Sequence, residues 1–297
     1  MKVNFQTLGK NCITKRREWS VMRFAALVLV SLASFACKAA ECTQPDTPIE
    51  TDRPDFTNSS IVVPVGSLQN ENGIDTSRDR GADILNGTNS RWRLGIAPCL
   101  EVLVDLPTYI TTFRGAGPSG FSDLAPAVKW QVSPLPGRFD LSLTVGAALP
   151  TGATGISGPG VQPYVQIPWS IALSDGWALT GMETNFFAPS SDKKFTYQST
   201  LVIEKEITER SFLFIEYVGG FPSNGRNSQL INSGGKYRID DRQQIDFHVG
   251  VGLDRNAPGY IFGIGYSFRL DGVLRERNNP VPWVWPETRP RLGFATQ

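Results

Sequence analysis

The sequence predicts an all-β protein: a closed antiparallel transmembrane β-barrel of about twelve strands, placed after a cleaved N-terminal signal peptide. Three observations carry this expectation. A short apolar run follows a basic lead near the N-terminus, apolar residues then recur with period two from about residue 68, and the connections between those segments alternate between long and short. Composition narrows the field further. With 297 residues, 40% apolar and 10% aromatic, the chain is too apolar for disorder. Its 29 Lys+Arg against 28 Asp+Glu leave no basic excess for phosphates, so no nucleic-acid partner is expected. A single histidine removes most zinc sites and most histidine-dependent nucleophile schemes. Neither a metal nor a cofactor is implied.

The first element is the leader. Lys15, Arg16, Arg17 and Arg23 precede the apolar run Phe24 to Ala36. As a helix that run covers about 20 Å, short of the roughly 30 Å hydrocarbon core. A basic lead, a short apolar stretch and a small-residue exit at Ala39–Ala40 describe a secretory signal peptide over residues 1–39. Met22 is an alternative start, which would make residues 1–21 a misassigned extension. Cys37 raises lipidation, but the residues before it lack the leucine that a lipoprotein signal carries. Removing residues 1–39 leaves 22 Lys/Arg against 27 Asp/Glu, an acidic exported protein.

Residues 40–67 form a lead-in, and the barrel is assigned to residues 68–269. Phe139, Leu141, Leu143, Val145, Ala147 and Leu149 alternate with small or polar residues, as do Ile245, Phe247, Val249, Val251 and Leu253. Successive side chains on a strand point to opposite faces, so each segment has one apolar face and one polar or small face. Strands are expected near 68–77, 90–97, 100–106, 122–133, 139–149, 162–174, 176–187, 195–207, 211–220, 228–239, 243–254 and 259–269. The first and tenth carry the weakest pattern. Arg78–Asn89, Pro107–Phe121 and Pro150–Val161 read as long loops; Pro98-Cys99, Pro134–Arg138, Ser174–Gly176, Thr208–Arg210 and Asp240–Arg242 read as tight turns. A soluble secreted β-sandwich binding protein also alternates, but it has no reason to make every second connection short and it leaves edges to protect. A membrane barrel has short periplasmic turns, longer outer loops, an even strand count and aromatic girdles, which suits Trp130, Trp169, Trp177, Tyr260 and Phe268 near strand ends.

If the apolar face meets lipid, the other parity lines a lumen. Arg91, Arg93, Glu101, Asp105, Lys129, Asp140, Glu204, Glu216, Lys236, Arg238, Asp246 and His248 are then interior. Such charges need water or mutual pairing, because each is costly in a dry site. Two functions remain open. Opposed basic and acidic groups select solutes along a water-filled path, with Arg91, Arg93 and Lys129 attracting anions and Glu101, Asp140 and Asp246 repelling them. Alternatively the same groups pair and brace a side-chain-filled, non-transporting structural or binding barrel. Asp52, Arg53 and Asp55, ahead of the first strand, are candidates for a lumen constriction, with Arg53 pairing to a wall carboxylate. Cys42 and Cys99 are both expected at the periplasmic end, where oxidation is favoured, and are assigned as a candidate disulfide.

Catalytic patterns are weak. His248 has Asp246 on its own face, with Ser170 and Ser267 at the same parity, yet nothing selects a serine nucleophile. The glycines of 115–120 and 152–160 fall between strands with no helix to complete a phosphate site.

The stretch Glu50-Thr-Asp-Arg-Pro-Asp-Phe-Thr57 resembles an outer-membrane transporter family labelled "MetA-pathway of phenol degradation". Weaker similarities follow in order: Pro64–Leu68, Leu149–Gly152, Glu216-Tyr217, Gly234–Tyr237 and Asn256–Tyr260, spanning roughly residues 50–269. The resemblance implies an outer-membrane barrel that passes small, including aromatic, compounds. The label names a pathway and not a reaction, so no catalytic residue is implied. Gly263–Phe268 also looks like the terminal-strand signal read by the barrel-assembly machinery, which makes that machinery and the lipid bilayer the expected partners. Here the signal is followed by residues 270–297, a Pro/Trp-rich stretch whose prolines forbid ladder pairing; it reads as a periplasmic tail.

Overall fold

A computed structural model describes residues 42–79, 81–132, 138–188 and 195–274. The leader over residues 1–39 and residues 275–297 of the tail lie outside the described residues.

The described chain contains fourteen strand segments: β1 (Leu68–Asp79), β2 (Ala82–Ala97), β3 (Leu100–Asp105), β4 (Tyr109–Arg114), β5 (Gly120–Phe121), β6 (Ala125–Val132), β7 (Phe139–Ala148), β8 (Gln162–Ala172), β9 (Trp177–Phe187), β10 (Phe195–Thr208), β11 (Ser211–Pro222), β12 (Ser228–Asp240), β13 (Gln243–Gly252) and β14 (Tyr260–Leu270). They form twelve barrel strands, because β3 with β4 and β5 with β6 are each one strand interrupted by three residues. β2 pairs with β3 through Arg91–Ala97 and with β4 through Asp83–Gly87. The other neighbours follow in sequence order, all antiparallel, and β1 pairs with both β2 and β14. The sheet therefore closes on itself. Closure satisfies the backbone donors and acceptors that an open edge would strand in hydrocarbon.

Two expected loops are strand instead. Arg78–Asn89 was expected as a long loop, but its described residues form the upper part of the β1–β2 hairpin, with Gly81 in the turn. Pro107–Phe121 contains the β4–β5 hairpin. The period-two rule fails here for a physical reason. Apolar alternation reports which strand residues face lipid; the Asn-Gly-Thr-Asn-Ser stretch at 86–90 pairs through its backbone and polar side chains, with Asn89 donating to Asp75, and carries no such signature.

The two faces of the wall differ as the pattern requires. Phe247, Val249 and Val251 are each about half exposed (49–51%), while Gln244, Asp246 and His248 are buried. The same holds on β11, where Ile215 is exposed and Glu216 has no accessible surface. Apolar groups thus form the outer wall, and all but Ile49 and Val202 of the largest fully buried side chains are polar or charged, led by Arg93 and Lys129. This inverts a soluble core. The β-sandwich alternative is excluded by that inversion and by closure.

Candidate functional site

The lumen is built around the lead-in. At the short-turn end Cys42 and Cys99 are joined as a disulfide, with Cα atoms 5.2 Å apart. Ile49 N–H donates to the Asp241 carbonyl at 2.8 Å, and Arg269 Nη2 donates to the carbonyls of Pro45 and Thr47 at 2.9 and 2.8 Å. From there the chain rises into the barrel. Residues 50–63 bond to strands on every side. Glu50 O accepts from Gln69 Nε2 and Asp52 N–H donates to Glu71 on β1; Phe56 N–H donates to Glu216 on β11. Asn58 meets Gln166 and Ser60 meets Ser170, both on β8, and Val62 and Val63 N–H donate to Gln131 on β6 and Glu101 on β3. The segment returns to the short-turn end, where Val65 bridges Gly95, and enters β1.

Two charges of the lead-in anchor it. Asp52 is 4% exposed and lies 2.9, 3.4 and 3.1 Å from Arg91, Arg93 and Lys129, respectively. Those cations are in turn held by Asp105, by Glu71 and Glu101, and by Glu101. Buried charges persist only when paired and hydrogen-bonded, and this network meets both conditions. Arg53 reaches the β13–β14 stretch of the wall, where Nη2 donates to Asp246 at 3.2 Å and to the Ile264 carbonyl at 3.3 Å. Its slot is cut by glycine. Gly73 and Gly265 face each other on β1 and β14, and a Cβ at either would fall 2.2 or 2.5 Å from the guanidinium.

Beside this segment a cavity of about 280 Å³ remains open, lined by Asp52, Arg53, Asp55, Asn58, Arg91 and Asp105 and bounded by Leu106 and Thr108 at the β3–β4 break. Asp52, Arg53, Asp55 and Asn58 of that lining belong to the lead-in.

A family model described as the MetA-pathway of phenol degradation matches residues 51–270, from the anchoring segment to the last strand. The chain belongs to this family. No curated protein matches it in sequence. Among solved structures it is similar to an outer membrane channel of Pseudomonas putida F1 at 14% identity and TM-score 0.58, covering 74% of this chain and 100% of that one. The KdgM porin in complex with disordered oligogalacturonate aligns at 8% identity and TM-score 0.49, over 68% and 98%. The CymD monoaromatic hydrocarbon channel aligns at 11% and 0.41, over 71% and 90%.

Within this family member the candidate charges are distributed unevenly. Arg91 makes a two-point contact with Asp105 (2.6 and 2.9 Å) and also donates to Asn58. Arg93, Glu101 and Lys129 have no exposed side-chain surface. They pack against the lead-in through Asp52 and the Val63 N–H, whereas Asp52, Glu71, Arg91 and Asp105 of the same network line the cavity. Lys236 pairs with Glu204, and Arg238 pairs with Glu50 at 3.4 Å and lies over the Phe212 ring at 4.5 Å. Glu216 accepts from Thr57 and Asn232. Asp140 is half-buried near the short-turn end of β7 and takes no part in the anchoring network. His248 Nδ1 lies 3.2 Å from Asn232 Oδ1 and its ring meets Phe56 edge-on, while Ser170 is bonded to Ser60. Among the described residues no serine pairs with this histidine.

Sequence reasoning missed Glu71, Gln131, Gln166 and Asn232. Glu71 sits in Asn70-Glu71-Asn72, where both faces are polar and no alternation marks the inward one. The others are uncharged, and only the register shows that they meet the lead-in.

Proposed function

We propose that this chain is an outer-membrane channel for small solutes whose lumen is narrowed by its own N-terminal segment. The observation that carries this reading is the cavity of about 280 Å³ that the lead-in leaves inside a closed wall, lined by paired charges and by neutral hydrogen-bonding groups. Paired opposite charges at a constriction give polar solutes successive partners without binding either sign tightly. Leu106 and Thr108 add a mixed surface on one side. The family's pathway label fits small aromatic compounds that carry a hydroxyl, and that volume fits a single ring. Passage, not catalysis, is what such a lining supports.

A second reading is favoured by one specific observation: residues 50–63 bond to strands on every side of the lumen, as a brace would. Single-channel recording in planar bilayers separates the two. Discrete openings, together with swelling of loaded liposomes that falls off steeply with solute size, support the channel. Electrical silence with impermeability to every solute tested supports the brace.

A further inference from the structure

The outer wall carries a charged group that transport does not use. On β14 the outward residues from Leu270 through Tyr266, Ile264 and Phe262 are apolar or aromatic and substantially exposed (40–53%), and the row ends at Tyr260. Ten residues at about 3.4 Å, tilted roughly 40°, rise about 25 Å, the height of an outer-membrane apolar band. Tyr260 therefore marks the upper edge of that band. Arg78 lies directly opposite Tyr260 on one side and Asp83 on the other, so the three share the outward face. Arg114 is the partner of Asp83 on β4.

The geometry of this group is incomplete. Asp83 is 3% exposed and accepts from the Tyr260 hydroxyl at 3.1 Å. Arg78 and Arg114 flank it at 3.8 and 3.7 Å, close enough for attraction but too long for hydrogen bonds. Their side chains are 45% and 73% exposed, and among the described residues neither guanidinium donates a hydrogen bond. One buried carboxylate thus holds two largely exposed cations side by side. A guanidinium's planar donors match the oxygens of a phosphate, and a pair of them matches it better than a lysine would.

We propose that Arg78 and Arg114 form a binding site for the phosphate group of a phosphorylated glycolipid in the outer leaflet, with Asp83 and Tyr260 as positioning residues. The acyl chains would lie along the apolar row below, and the phosphate would sit where that row ends. The inference rests on the orientation of the wall and not on solute passage.

Native mass spectrometry of the detergent-solubilised protein tests it, with bisphosphorylated lipid A, its fully dephosphorylated form and inorganic phosphate as probes. The wild type should retain the bisphosphorylated lipid preferentially, and R78A/R114A should bind it roughly thirtyfold more weakly, the effect of losing two surface cations near an anionic headgroup. R78K/R114K should fall between. Equal retention of the phosphorylated and dephosphorylated lipids would overturn the site, as would undiminished binding by R78A/R114A. Displacement of the lipid by inorganic phosphate at the lipid's own concentration would overturn the assignment to a lipid. Were the alanine variant to fail to fold, the wild-type comparison of the two lipids decides alone.

Discussion

Asp52 is the residue on which the lead-in turns. It neutralises parts of three buried cations, so removing it leaves Arg91, Arg93 and Lys129 facing one another with only the wall carboxylates between them. Breaking a buried pair by deleting one partner costs about 3–5 kcal/mol. Asp52→Ala should lose stability in that range, read as the midpoint shift of heat-modifiable gel mobility or of denaturant unfolding; a change under about 1 kcal/mol, the scale of a solvent-exposed pair, would show that the network is wet and weak. Gly265→Ala probes the other anchor, because its methyl would occupy the Arg53 slot. At the short-turn rim, burial alone would raise the Asp271 pKa. Hydrogen bonds from Ser67 and Arg242 and the charge of Arg269 outweigh it and hold the carboxyl below the ordinary 3.8. A group depressed in the folded state contributes stability above its unfolded pKa and loses it as pH falls through the folded value. The rim that clamps Pro45 and Thr47 should therefore loosen below about pH 4, seen as faster amide exchange over residues 45–49, and Asp271→Asn should flatten that dependence.

At the scale of the strand, alternation reported the wall and its inward face directly. Parity alone assigns Glu216, Asp246, His248 and Lys129 to the inward face, since a residue's neighbours on a strand fix its side, and all four are buried. What parity could not supply was partners. Asp52 meets Lys129 across 77 positions of sequence, and Arg53 meets Asp246 across 193. Those encounters follow from strand order and register, which no local pattern encodes. The β1–β2 and β4–β5 extensions were hidden for the complementary reason: a strand segment without a lipid-facing apolar row looks like a loop. The wall's orientation makes a sharp prediction. Phe247 is 49% exposed on the outer face, between buried Asp246 and buried His248, and pairs with Ile264 near the middle of the apolar row. Phe247→Arg should cost about 2–4 kcal/mol near the bilayer midplane, measured by refolding into vesicles, whereas a change below about 0.5 kcal/mol would place that face in water. The lead-in's tether is also testable. Cys42→Ser with Cys99→Ser should expose residues 42–49 to limited proteolysis while the barrel band persists; an unchanged digestion pattern would show that Arg269 and Asp241 hold the segment without the disulfide.

The whole molecule combines a closed wall with a segment of its own chain folded inside it. Closure makes the wall self-sufficient in hydrogen bonds, which frees the inward side chains to serve a second purpose. They serve it by binding the lead-in: the polar residues of the lumen hydrogen-bond and pair with residues 50–63, and a cavity remains between that segment and the β1–β4 wall. A twelve-strand wall is wider than one that its own side chains fill and narrower than an open porin, so an internal segment is a natural occupant. The central claim is that this segment is seated against the wall in the folded protein. Ser60 Oγ and Ser170 Oγ are 2.9 Å apart, one on the lead-in and one on β8. A Ser60→Cys, Ser170→Cys pair tests the seating most directly, through mass spectrometry of unreduced peptides from the membrane-inserted protein and conductance before and after reduction. The account predicts a spontaneous cross-link between those two peptides and larger single-channel steps once it is reduced. Free thiols at both positions, labelled as fast as in unfolded protein, would contradict it.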